Sequence, residues 1–205
     1  MRLSLHQPTP PEIRAFLDRR REHPFSYPHV EASRHAPPAR WVVDHNRVRL
    51  GQGPAAWEAA CAAIRSWQMF RLGWVEIHGT EARLAPGLVV APVAHAFGLW
   101  FLNACRVVYL IDEDSPVRRF GFAYGTLADH AERGEERFLV EWREDDSVWY
   151  DLLAFSRPGH WLVWLGFPVV RRLQKRFAAD SLAAMKRAAQ THTGDAADGP
   201  GRPRS

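Results

Sequence analysis

Cysteine is nearly absent: Cys61 and Cys105 lie far apart and outside any C-x-x-C or Cys/His pattern. That excludes a disulfide framework and suggests no zinc site, so both read as free buried thiols. Lysine is as scarce, with only Lys175 and Lys186, and arginine supplies the rest of the 27 basic residues. Against 23 acidic residues the surplus is +4, too small to argue for nucleic acid unless it gathers on one face. No apolar run approaches the roughly 20 residues of a membrane span, and the start, Met1-Arg2-Leu3-Ser4-Leu5-His6-Gln7-Pro8, lacks the apolar stretch of a signal peptide. A cytoplasmic location is therefore expected. There is no G-x-S-x-G elbow, no G-x-x-x-x-G-K-[ST] loop, no H-E-x-x-H helix and no internal repeat. The ten histidines include no pair at helical ligand spacing, so neither a metal nor a cofactor is expected unless distant segments assemble a site.

What is present suffices for one core. A chain of 205 residues, 46% hydrophobic, buries roughly 70% of its unfolded surface as a single domain. Residues 1–40 hold a short helix opening at Pro10-Pro11, with Ile13, Phe16 and Leu17 on one side, then a loop in which Pro24, Pro28, Pro37 and Pro38 forbid continuous helix or interior strand. From Trp41 two alternating sets, Val43/His45/Arg47/Arg49 and Val42/Asp44/Asn46/Val48/Leu50, predict a strand closed by Gly51-Gln52-Gly53-Pro54. Trp57, Ala60, Cys61, Ile64 and Trp67 then recur at helical steps, predicting a helix from about Pro54 to Phe70.

Strand-like runs follow at 73–78, 87–96, 99–112, 118–127, 135–143 and 147–157, most of them divided by short turn signals that join antiparallel neighbours. A long helix beginning near Pro168 carries the stripe Val170, Leu173, Phe177, Ser181, Ala184 and Ala188, with Arg171, Arg172, Lys175, Arg176, Lys186 and Arg187 opposite. The composition of 191–205 predicts a disordered tail. Strand, helix, six strands and long helix is the element order of an α+β helix-grip fold, a curved antiparallel sheet around a C-terminal helix, here spanning 41–190 with an extra N-terminal helix. Gly121, Ala123 and Gly125, at alternate positions of one strand, suit a bend or the close approach of a neighbour.

Several blocks carry a resemblance: Phe25-Ser26-Tyr27-Pro28, Val48-Arg49-Leu50-Gly51, Trp67-Gln68-Met69-Phe70 with Gly73-Trp74-Val75, Gly98-Leu99-Trp100 with Asn103-Ala104-Cys105-Arg106-Val107-Val108, Gly121-Phe122-Ala123-Tyr124-Gly125-Thr126-Leu127, His130, and Gly134-Glu135-Glu136-Arg137-Phe138. Together they resemble the bacterial and plant family numbered nineteen-ninety among the domains of unknown function. Two turns depart from it: Ala128-Asp129 stands where the family commonly has Pro-Gly, and Glu31 where it commonly has glycine. The resemblance implies fold and membership but carries no catalytic residues. The C-terminal segment is also similar to polyketide cyclase, aromatase and lipid-transfer proteins, which implies an apolar cavity.

Polar residues embedded in apolar strands are the candidate contacts: Asn103, Arg106, Tyr124, Glu141 and Tyr150, with Thr126 and Asp151 beside them. Buried charge is costly unless paired, so each either meets a polar ligand group or pairs across a solvent-facing side of the sheet, and strand register decides which. The leading expectation is a binding protein for a small apolar or amphipathic molecule. An enzyme using the same cavity for cyclisation, dehydration or hydrolysis would draw on Tyr124, Glu141 or His130, although His130 beside Gly134-Glu135-Glu136-Arg137 reads more simply as part of a solvated hairpin. A third reading, in which Trp161, Trp164 and the basic helix meet a membrane surface or partner, is disfavoured because solvation alone accounts for those charges. Ligand, reaction and oligomeric state are not legible.

Overall fold

A computed structural model of the chain describes residues 1–128, 130–159 and 166–195. Among the described residues nine strands, β1 Arg2–Ser4, β2 Val42–Gln52, β3 Val75–His78, β4 Val89–Ala96, β5 Leu99–Leu102, β6 Cys105–Glu113, β7 Arg118–Thr126, β8 Glu132–Trp142 and β9 Ser147–Pro158, join three helices, α1 Pro10–Arg20, α2 Gly53–Arg65 and α3 Phe167–Asp195. The strands form one antiparallel sheet in the order β1-β5-β4-β6-β7-β8-β9-β2, with β3 on β4. α3 packs on α2 and crosses β2 and β9. This is the helix-grip architecture, with α1 added outside it.

The departures from the expected elements have local causes. The run 99–112 divides at Asn103-Ala104, opposite Pro92 of β4, which has no N–H to complete the ladder; Asn103 N donates instead to Pro92 O at 3.1 Å. α2 stops at Arg65 because the Ser66 hydroxyl turns back to Ala62 O at 2.8 Å and Trp67 adopts φ 55°, after which a 3₁₀ turn, Gln68–Phe70, folds Trp67, Met69 and Phe70 into the core. β9 ends at Pro158, and the terminal helix runs from Phe167, close to the expected start near Pro168, to Asp195, past the expected boundary at 190. The rest of the expected tail, 196–205, and Trp161 and Trp164 lie outside the described residues.

Strand alternation gives the sheet two different faces. The inner face carries Phe122, Phe138, Val140, Val148 and Leu152 against Ala60 and Ile64 of α2 and Met185 of α3, the main core. The outer face carries Tyr109, Ile111, Ala123 and Leu139, covered by the proline-rich segment 24–40. That segment is ordered: Ser26 N donates to Thr126 O at 2.9 Å, Phe25 bridges to Leu127, and Ala32–Arg34 form a 3₁₀ turn. Gly125 makes room for it, since a Cβ there would run into Tyr27 Oη; Gly121 similarly lies beneath the Phe138 carbonyl. Glu31, standing where glycine is common, adopts φ 70°, the left-handed region that glycine enters without cost. α1 buries Ile13 and Phe16 against Ala91, Val93 and Leu102 at the far end of the sheet.

Candidate functional site

α3 grips the sheet with only half its length. Its later turns bury Ser181, Ala184, Met185 and Ala189, whereas Val170, Leu173 and Phe177 are half-buried because they look into open space. Arg172 and Lys175 are exposed, as the periodicity predicts. The space between the first turns of α3 and the inner face is a cavity of about 570 Å³. Small residues keep it open: Ala94 and Ala96 of β4, Ala154 of β9 and Ala178 of α3 line it where larger side chains would fill it. Phe70, Trp74, Phe101 and Leu152 supply further apolar wall, and the exposed Leu3, Phe97 and Val169 lie among its lining residues.

Register places a polar row across this wall. Asp44 of β2 faces Ala154 of β9, Ala154 faces Glu136 of β8, and Glu136 faces Tyr124 of β7. The adjoining inward row, Asn46, Leu152, Phe138 and Phe122, is mostly apolar. Tyr124 Oη donates to Glu136 Oε2 at 2.9 Å. Across the cavity, Gln174 Nε2 donates to Glu132 Oε1 and, at 3.1 Å, to Ser156 Oγ. Arg171 holds Asp44 through both oxygens at 2.5 and 2.7 Å and donates to Gln174 Oε1 at 2.5 Å. The chain Asp44, Arg171, Gln174, Glu132 thus ties the start of α3 to the sheet. Arg171, expected on the solvated side of the helix, is half-buried for this reason.

Two carboxyls in a largely apolar enclosure carry the unusual electrostatics. Burial pushes Glu132 up to about 7, outweighing the opposing Gln174 hydrogen bond and Arg171 charge. Burial likewise raises Glu136 to about 7, against the Tyr124 hydrogen bond and with help from the Glu132 and Asp44 charges. Tyr124 is held well above the usual phenol range by burial and then by Glu136. His130, expected in a solvated turn, lines the cavity; its Nδ1 accepts from Glu132 N at 3.0 Å and burial lowers it to about 3, so the ring is neutral. Glu135-Glu136-Arg137 belongs to β8 rather than to a turn.

Of the residues singled out from the sequence, Asn103 and Tyr124 line the cavity, and Asn103 Oδ1 is a buried acceptor without a hydrogen-bond partner. Arg106, Glu141 and Tyr150 are placed elsewhere. Arg106 points to the outer face and donates to the carbonyls of Arg21 and, at 2.9 Å, His23, bracing the end of α1. Glu141, also outward, meets Arg47 at 2.5 Å and Arg119 at 3.1 Å in a network that continues through Asp151 to His45 and Arg137. Tyr150 faces inward but beneath α3, where its hydroxyl pairs with Ser181 Oγ at 3.0 Å. Sequence reasoning missed Glu132, Glu136 and Gln174. Glu136 had a signal, since it alternates in phase with the inward Phe138 and Val140; Gln174 follows the inward Val170 by one helical turn. Among the described residues no group of three His, Cys, Asp or Glu side chains could hold a metal, and no helix is long and apolar enough to cross a membrane.

These features define a helix-grip protein with an internal, mostly apolar cavity. The chain belongs to the family described as Domain of unknown function (DUF1990), which matches residues 26–184. A UPF0548 protein of Dictyostelium discoideum is 34% identical over 202 residues, covering 89% of this chain and 93% of the relative. Another, from Deinococcus radiodurans, is 38% identical over 196 residues, covering 90% and 98%. Among solved structures, a Thermus thermophilus protein aligns with TM-score 0.51 at 14% identity, over 77% of this chain and 100% of that one, a likeness of fold alone.

Proposed function

We propose that the protein binds a small apolar or amphipathic molecule in the cavity between the sheet and the first turns of α3. The observation that carries this reading is the cavity itself: about 570 Å³, within the usual range of small-molecule sites, walled by aliphatic and aromatic side chains with a few polar groups in one row. Tyr124 and Asn103, together with Glu132 and Glu136, are the residues that would orient the polar end of the occupant. Free buried thiols suit a reducing cytoplasm as the place where this happens. Native mass spectrometry of the purified protein tests the proposal by detecting a retained small molecule. The substitution Ala154→Phe, which fills the space beside Glu136, should abolish uptake of an apolar fluorescent dye while leaving the circular dichroism spectrum unchanged; dye uptake equal to wild type would refute it.

One observation favours a second reading. A phenol hydrogen-bonded to a carboxyl poised near neutral pH is suited to proton transfer, so Tyr124 and Glu136 would be the acid–base pair of a cyclisation, dehydration or hydrolysis. Turnover of a retained molecule, lost in Glu136→Gln while binding persists, would separate catalysis from binding.

A further inference from the structure

The donors and acceptors around the cavity are unequal. Arg171 is committed to Asp44 and Gln174, the Gln174 amide to Glu132 and Ser156, and the Tyr124 hydroxyl to Glu136. Glu132 and Glu136 each have one oxygen for which no donor is seen among the described residues, Gln174 and Tyr124 serving only the other. Among the described residues no lysine or arginine side chain lines the space. The amino terminus of Met1, which also lines the space, acts on His130.

We infer that the occupant carries a protonated amine at its polar end, held by the Glu132 and Glu136 carboxyls, and an apolar body against the wall of β4, β9 and α3. This rests on the binding function proposed above and narrows its ligand class. An ammonium group brings three donors and no acceptor, which suits two carboxyls that each have an oxygen to spare. Its positive charge relieves the repulsion between the two carboxyls and supplies a counter-ion facing them from within the cavity. A carboxylate or phosphate head would add like charge beside Glu132, Glu136 and Asp44 with no lining lysine or arginine side chain to offset it. Uncharged hydroxyl heads satisfy the acceptors but gain no ion pair, and so rank between the two.

The test is isothermal titration of the full chain at pH 7.5 with decylamine, decanol and decanoate, three probes sharing one apolar body. Decylamine is expected to bind at least ~10-fold more tightly than decanol, the scale of a charge-assisted over a neutral hydrogen bond, with decanoate weakest. In the double variant Glu132→Gln, Glu136→Gln the ratio of amine to alcohol affinity should collapse towards one. The order of the three probes on the wild-type protein decides the matter even if that variant fails to fold. Decanoate binding as tightly as decylamine, or decanol equalling it, overturns the amine inference and leaves the cavity reading standing. Failure of all three to bind overturns both.

Discussion

Glu135 and Glu136 are neighbours in the chain and opposites in the fold. Glu135 points to the outer face, only 2% exposed, and receives four hydrogen bonds: from Tyr27 Oη at 2.6 Å, Glu31 N at 2.8 Å, Ser33 N at 3.0 Å and the Ser33 hydroxyl. Glu136 points inward and receives one, from Tyr124. A carboxylate enclosed by donors can replace the water it loses, whereas one facing an apolar space cannot and takes up a proton instead. The same split holds for the two faces. Outward charges such as Arg47, Glu141, Asp151 and Arg137 pair with one another, and Arg106 caps carbonyls, while the inward Glu132 and Glu136 keep unused acceptors. Paired charge is structure; a carboxyl with an unused acceptor beside a cavity is capacity for a ligand.

The largest expected effect breaks the outer half of this contrast. Glu135→Ala leaves Tyr27, Glu31 N and Ser33 without their acceptor and should cost at least about 3 kcal/mol in urea unfolding, whereas Glu136→Ala should cost far less. Equal costs would mean that the outer carboxylate does not anchor segment 24–40. Gly125→Ala attacks the same anchor from beneath: with Tyr27 Oη in the way of the new Cβ, the segment must lift, at about 2 kcal/mol and with greater protease sensitivity between 24 and 40.

The next effect sharpens the inner half through pH. Carboxyls near 7 in the folded protein hold protons that the unfolded chain gives up from about 4.5, so their contribution to stability falls as pH rises through that window. His130, held neutral down to about 3, contributes in the opposite direction below 6.5. It is common to both proteins in a comparison of wild type with Glu136→Gln, and cancels there. The variant should therefore match wild type near pH 4.5 and exceed it by up to about 3 kcal/mol at pH 8 by thermal unfolding. A variant less stable at pH 8 would show that Glu136 is paired after all. Smallest is Glu31→Gly, which relieves the left-handed backbone but loosens the unfolded chain, for a net gain of about 0.5 kcal/mol in the same assay; a loss would indicate that the Glu31 side chain contributes to the covering segment.

Much of the architecture was legible from periodicity and punctuation. Helical stripes gave α2 and the exposed Arg172 and Lys175 of α3, turn signals placed most strands, and the small residues Gly121 and Gly125 correctly marked close approach. β1 was not legible, being a three-residue strand whose existence depends on β5, and the breaks at Asn103 and Trp67 depend on Pro92 and on a side-chain hydrogen bond rather than on any local run. Periodicity says that residues alternate, not which set faces in. Arg106 and Tyr124 therefore looked alike, each a polar residue among apolar neighbours, until the sheet sent one to the carbonyls of α1 and the other to the cavity. The sequence by itself determined the succession of elements from β2 to α3, apart from the break at Asn103, and the amphipathic helix that the sheet grips, because those follow from patterns a few residues long. Only the tertiary structure decided that Asp44, Ala154, Glu136 and Tyr124 form one row and that α3 stands off from it, because register and standoff are set by partners up to about a hundred residues away in the chain.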